Sequence, residues 1–252
     1  MTHCFGRGRW WRASPGVLAL IGLAACGCQR ASPARRWTSP YPGPRTLAVA
    51  PFSNQSGSEF LDVMAVTDEF YAELQSVEGL TVAPVNRVLA GLEQLGLVNV
   101  RSPAEALALV ELLEIDGMIV GSVTQYDAYP PPRVGMAVQL YLREQAGGRE
   151  GVGGEAVNPG EMARAARPFE LAPGRPIRPR NAVVRIYDAD QEEVVKRIKE
   201  YARSREGKGR PYRWETYTTS RNYLRFVSHE IIGELLAQER ALVEGAGQGG
   251  QK

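Results

Sequence analysis

Leu47-Ala48-Val49-Ala50-Pro51-Phe52-Ser53-Asn54-Gln55-Ser56-Gly57 is the stretch on which the fold turns. Its first six residues are a short apolar run of the length expected of a buried strand. From Ser53 to Ser58 only turn-forming residues follow, which ends the strand. Ser56 and Glu59 stand three apart, as in a capping box. Phe60, Met64, Thr67, Tyr71 and Leu74 then trace one helical face, so the spacing predicts a helix over roughly residues 59–75. A strand, a turn cluster and a helix in that order open an α/β domain.

The same grammar continues towards the C-terminus. Gly79 breaks the helix, and Leu80-Thr81-Val82-Ala83-Pro84 reads as a second strand. Asn86 is the expected cap of a second helix, with Val88, Leu89, Leu92 and Leu95 on one side and Gly96 as its stop. Ser102-Pro103-Ala104-Glu105 combines cap, first-position proline and a Glu three on, which starts a third helix carrying Leu107, Val110 and Leu113. Gly117 to Thr124 is a third strand. Val134 to Leu142 alternates, with Met136, Val138, Leu140 and Leu142 on one face. Ala182 to Tyr187 reads as another strand. Asp190 and Glu193 cap a helix to about residue 203, and a last helix runs from about Ser220 to Leu242. Strands separated by helices early and strands in succession later predict a mixed sheet of about four to five strands with helices packed on it. Residues 144–180 are rich in Gly, Pro and Arg and poor in large apolar side chains, so they form a long disordered insertion or draped loop. Ser204–Arg210 is a second flexible stretch, and the tail 244–252 is frayed.

Working back from Thr46, the chain changes character. Residues 26–45 are Pro-, Ser- and Arg-rich without periodicity, as in a flexible tether. Before them Arg7, Arg9 and Arg12 precede the apolar run Val17–Ala25, which is too short to span a bilayer. A basic region, an apolar stretch and small residues mark a secretory signal over residues 1–25. The stretch Leu23-Ala24-Ala25-Cys26 resembles, residue for residue, the lipobox of bacterial lipoproteins. That resemblance implies cleavage before Cys26, diacylglycerol on its thiol and acylation of the new amino group. One acyl chain holds a protein only marginally, whereas two or three make attachment effectively permanent. Gly27 in place of an Asp points, by the same analogy, to the outer membrane.

Of 30 basic side chains, three lie in the predicted signal, leaving 27 against 28 acidic ones. The near-neutral balance argues against nucleic acid as a partner. The charge is divided unevenly, with 3 basic and 12 acidic residues over 46–142 but 20 basic and 16 acidic over 143–252. Such asymmetry lets the two halves attract each other or lets the basic parts face an anionic surface, and a solvated mix of charges is the plainer reading.

Three segments together, Leu47–Gly57, "LTVAPVNRV" and "LLEIDGMIVGSVTQY", resemble a group of periplasmic domains. The group includes the amino-terminal domain of TolB, the penicillin-binding-protein activator LpoB and the curli secretion lipoprotein CsgG. Pro51, Phe52, Asn54, Gly57, Asp116, Gly121 and Val123 occupy the group's shared positions, and the likeness covers roughly residues 46–142. It implies a small α/β fold in the periplasm. Segment 144–180 lacks the ten-residue alternation a transmembrane barrel needs, which argues against a pore.

Candidates for chemistry are few. The three cysteines are Cys4 in the signal, Cys26 at the box and Cys28, which leaves neither an intramolecular disulfide nor a cysteine-based zinc site. His229 is the only histidine after the signal, and its neighbours one helical turn away include no carboxylate to orient it. Asp188, Asp190, Glu192 and Glu193 are better explained as a helix start than as a calcium loop. No cofactor is indicated. Arg210-Pro211-Tyr212-Arg213-Trp214, with Tyr217, Arg221 and Tyr223, interleaves arginine with aromatics as partner-binding surfaces do, although some of these side chains could simply pack under the last helix. The sequence therefore reads as a non-enzymatic, lipid-anchored adaptor of the cell envelope, facing the periplasm and binding another envelope protein through Tyr212, Arg213, Trp214, Tyr217 and Arg221. The alternative is a soluble ring subunit of an envelope secretion machine, so self-association stays open, and an envelope hydrolase ranks last.

Overall fold

The computed structural model describes residues 37–143, 179–205 and 213–249, with side chains to residue 245. The signal, the lipobox, most of the tether, nearly all of the insertion 144–180 and Tyr212 lie outside the described residues.

The strands are β1 (Arg45–Val49), β2 (Ser53–Asn54), β3 (Leu80–Val82), β4 (Gly117–Asp127), β5 (Arg133–Leu142) and β6 (Asn181–Asp188). They form one mixed sheet in the order β3-β1-β4-β5-β6, with β2 also against β4. β1 runs parallel to β3 and β4, whereas β4, β5 and β6 are successively antiparallel. The opening run is thus broken in two. Leu47–Val49 face Gly117–Ile119 on β4, the chain swells at Pro51, which has no N–H to donate, and pairing resumes at Ser53 opposite Ser122.

Both sides of the sheet carry helices. On one side lie α1 (Val63–Gln75), α4 (Glu192–Arg205) and α5 (Ser220–Gly249), around a core of Phe52, Phe70, Leu74, Val138, Ile198 and Phe226. On the other side α2 (Val85–Gln94) and α3 (Pro103–Leu112) bury Val88, Leu92, Leu107 and Val110 against Ala48 and Met118. That alternation along β1 and β4, one residue to each side, is why the apolar runs there are continuous. α2 and α3 reach only part of the sheet, and Ala182, Val184 and Ile186 on β6 stay exposed on their side.

Several boundaries differ from the sequence reading. α1 starts at Val63, because Asp62 rather than Ser56 caps it, accepting from Met64 N at 3.0 Å and Ala65 N at 3.1 Å. Asn54 instead closes the loop, accepting from Ser56 N at 3.0 Å and donating to Ser58 O at 2.8 Å. Phe60 therefore precedes the helix and is 92% exposed, and the buried stripe is Val66, Phe70 and Leu74 with Thr67. α2 is flanked by Pro84, not capped by the Asn86 side chain. The capping box at Ser102 and Glu105 forms as expected. α5 continues past Leu242 to Gly249, with Gly245 and Gly247 inside it, so residues 244–249 of the expected frayed tail are helical.

Residues 37–45, read as the end of the tether, join the fold. Trp37 lies on α5, where a Cβ on Gly233 would sit 2.1 Å from its ring. Its indole N–H donates to His229 O at 3.2 Å, and Thr38 bridges to Glu78. A tryptophan in an otherwise polar segment carries enough apolar area to hold it down.

Candidate functional site

α1 turns two carboxylates, Glu69 and Glu73, into the protein, where both are buried. One turn apart, they would repel each other on an isolated helix. Basic side chains from α4 and α5 hold them. Arg225 donates to Glu69 at 2.8 Å, and Arg221 pairs with the same carboxylate. Glu73 accepts from the Tyr201 hydroxyl at 2.9 Å, pairs with Arg205 and stands 3.3 Å from His229 Nδ1. The His229 ring lies 4.9 Å from that of Tyr201 and 5.3 Å from that of Trp37, centroid to centroid. Acidic side chains of 46–142 and basic ones of 143–252 are thus paired at this seam, as Glu111 and Arg143 are elsewhere.

The orienting carboxylate that His229 lacks along its own helix comes from α1. Sequence spacing could not show it, because Glu73 and His229 are 156 positions apart. A carboxylate beside an imidazole is half of a triad. Here both groups are buried, and Tyr201, Arg205 and Trp37 surround them, so the pair is wedged between helices and not open to a substrate. Ser228, the adjacent hydroxyl, is buried on the same helix.

The sequence-predicted partner surface falls at the outer rim of this seam. Trp214 and Tyr217 belong to a short 3-10 helix, Trp214–Thr218, and are half-buried. The Lys199 ammonium sits over the Trp214 ring at 4.7 Å, and the Tyr217 ring meets Tyr201 edge-on at 5.4 Å. Arg221 is exposed but tied to Glu69, Arg213 is exposed, and Tyr223 is fully buried. These residues close the seam, and only Arg213 and Arg221 offer much surface. Asp188 serves the sheet by accepting from Arg133 Nε at 2.7 Å, and Glu192 and Glu193 open α4. Among the described residues no group of three or more His, Cys, Asp or Glu is placed to hold a metal, and no helix is long and apolar enough to cross a membrane.

Two concave surfaces lie elsewhere. A pocket of about 870 Å³ over the uncovered part of the sheet is lined by Asn54, Gln55, Asn99, Arg101, Gln139 and Tyr141 among others. A groove of about 510 Å³ runs beside β6 between α4 and α5.

Burial pushes the Tyr201 hydroxyl well above its ordinary value of 10.0, with nearby Glu73 adding to the shift. Burial does the same for Tyr41, Tyr187 and Tyr223. A folded-state value above the unfolded one gives stability that is complete below the unfolded value and is lost as pH rises towards the folded one. The melting temperature is therefore expected to fall above pH 10.0, with the absorbance of these four buried tyrosinates appearing together with unfolding. Tyrosinate absorbance for all ten tyrosines near pH 10.0 in a still-folded protein would contradict the burial argument.

No family model matches the chain, and no curated protein matches it. Among solved structures, the C-terminal domain of LpoB from Salmonella enterica is similar at 16% identity and a TM-score of 0.35, over 40% of this chain and 74% of that one. The lipoprotein GNA1162 from Neisseria meningitidis is similar at 20% identity and 0.31, over 48% and 90%. The hypothetical protein CT253 from Chlamydia trachomatis is similar at 11% identity and 0.39, over 77% and 96%.

Proposed function

We propose that this chain is a lipid-anchored accessory protein of the cell envelope, held on the periplasmic side of the outer membrane by acyl chains on Cys26. It binds another envelope protein and carries out no catalysis of its own. The run Leu23-Ala24-Ala25-Cys26, behind three arginines and a short apolar stretch, carries this reading. The non-catalytic part is supported by the seam, where the one imidazole of the domain and its carboxylate are spent on joining α1, α4 and α5.

The native product is expected to lack residues 1–25 and to carry acyl mass on Cys26. Cys26→Ala should leave an unprocessed, unacylated precursor, whereas Cys28→Ala should change neither property. Intact-mass analysis of the membrane fraction reads both. A bare thiol on a freely soluble chain overturns the anchor. Cross-linking in cells, followed by mass spectrometry, is expected to give one foreign envelope protein; a ladder of identical copies would instead mark a ring subunit.

A further inference from the structure

β6 is the last strand of the sheet, pairing with β5 on one side and with no described strand on the other. The bond from Ala189 N to Pro132 O, at 3.0 Å, sets the phase of the ladder. Alternate residues of an antiparallel strand turn both backbone groups to the same neighbour. Val184 and Ile186 therefore turn theirs outward. The Arg185 guanidinium donates to Val184 O at 3.0 Å, as a carbonyl on that outer side permits. The side chains of Val184 and Ile186 are 60% and 57% exposed. This eight-residue edge has no proline, lysine or bulge, and its one mid-strand charge, Arg185, is drawn towards Glu234, so a joining strand has only to displace the guanidinium from Val184 O.

The groove beside this edge adds a charge preference. Glu193, Glu230 and Glu234 line it against Arg185 and Arg197. Arg197 is shared between Glu193 at 3.5 Å and Glu230 at 3.2 Å, and Arg185 pairs with Glu234. Three carboxylates against two guanidinium groups leave one negative charge over. Trp37, seated over Gly233, and Ala237 form the rest of that wall. A strand laid along β6 would place alternate side chains beside Val184 and Ile186, and the intervening ones towards the groove.

We propose that β6 receives an extended segment of a partner protein by strand addition, with apolar side chains beside Val184 and Ile186 and a Lys or Arg reaching Glu230 and Glu234. This rests on the adaptor reading and supplies the chemistry of its partner. A second copy of this chain suits the edge less well, because it brings the same acidic surplus to the same place.

The test uses the purified full chain and three labelled eight-residue peptides, matched in length to β6. One alternates Val and Lys, one alternates Val and Glu, and one has the sequence of residues 181–188. The Lys peptide is expected to bind at least about tenfold tighter than the Glu peptide by fluorescence anisotropy, and to slow hydrogen exchange at the Val184 and Ile186 amides. Val184→Pro removes an outward N–H that β5 does not use, so binding is lost while the fold stands. Should that variant unfold, Ile186→Lys puts a charge where the Val side chains of the peptide would lie and weakens binding by a similar factor. Glu230→Gln with Glu234→Gln leaves one carboxylate against two guanidinium groups and turns the preference towards the Glu peptide. Equal binding of the Lys and Glu peptides, or protection away from β6, overturns the proposal. Tightest binding by the 181–188 peptide, with dimerisation of the chain, assigns the edge to a second copy and also overturns it. The anchor and the existence of a foreign partner are read by mass and cross-linking, so they can stand when this fails.

Discussion

Glu73→Ala is expected to cost about 4 kcal/mol of folding stability, read as a shift in the urea midpoint at neutral pH. Glu73 is the acceptor on which three groups converge: the Tyr201 hydroxyl, the Arg205 guanidinium and the His229 ring. Truncation leaves all three facing a void, and breaking a buried pair typically costs about 3–5 kcal/mol because the remaining polar groups stay desolvated. Arg205→Ala should cost clearly less. Its side chain is a third exposed, and Glu73 keeps its other two partners when it is gone. Glu69 has its own arginines, Arg221 and Arg225, so the effects of losing Glu69 and Glu73 should overlap only where Arg225 approaches both carboxylates. An alanine at Glu73 that shifts the midpoint no more than one at an exposed glutamate such as Glu93 would show that the seam contributes nothing.

Gly121→Ala is expected to lower the melting temperature by about 6–12 °C, from about 3 kcal/mol of overpacking. A Cβ built on Gly121 falls 2.3 Å from Phe52 Cε1 and 2.4 Å from its Cζ. The ring cannot easily retreat, since it is buried and packs on Phe70 at 5.2 Å between centroids. Backbone conformation is not the obstacle at this glycine, so the cost should vanish when the ring is made smaller. In Phe52→Leu the same Gly121→Ala change should cost far less, giving a favourable coupling in the double-mutant cycle. Equal costs in both backgrounds would show that the contact is not what selects glycine.

That contact explains why Phe52 and Gly121, read in the sequence only as shared positions of a resembling group, occur together: one leaves room for the other. Fold class and most elements were legible for an ordinary reason. Each helix and strand is specified by its own neighbours through periodicity, caps and breakers, and the capping box at Ser102 and Glu105 shows this best. The start of α1 is ambiguous in the sequence because two acceptable caps, Ser56 and Asp62, lie close together in one segment, and the loop claims the first through Asn54. The seam was only half legible. A charge imbalance between the halves of the chain is visible in composition, but which glutamate meets which arginine depends on how α1 lies along α5. The aromatics around Trp214 and Tyr217 looked like a docking surface, and their packing on Lys199 and Tyr201 is a tertiary fact with no local signature.

The seating of Trp37 has a mechanical side. Residues 37–39 are fastened at two places, to the turn between α1 and β3 through Ser39 N to Glu78 O and Glu78 N to Trp37 O, and to α5 through the indole and through Arg240 to Thr38 O. Tension arriving from the chain ahead of Trp37 is therefore shared between that turn and α5 before it reaches β1. A domain hung from that point would transmit strain along α5 to the border strand β6, which Arg185 ties to Glu234 and Asn181 to Leu235 O.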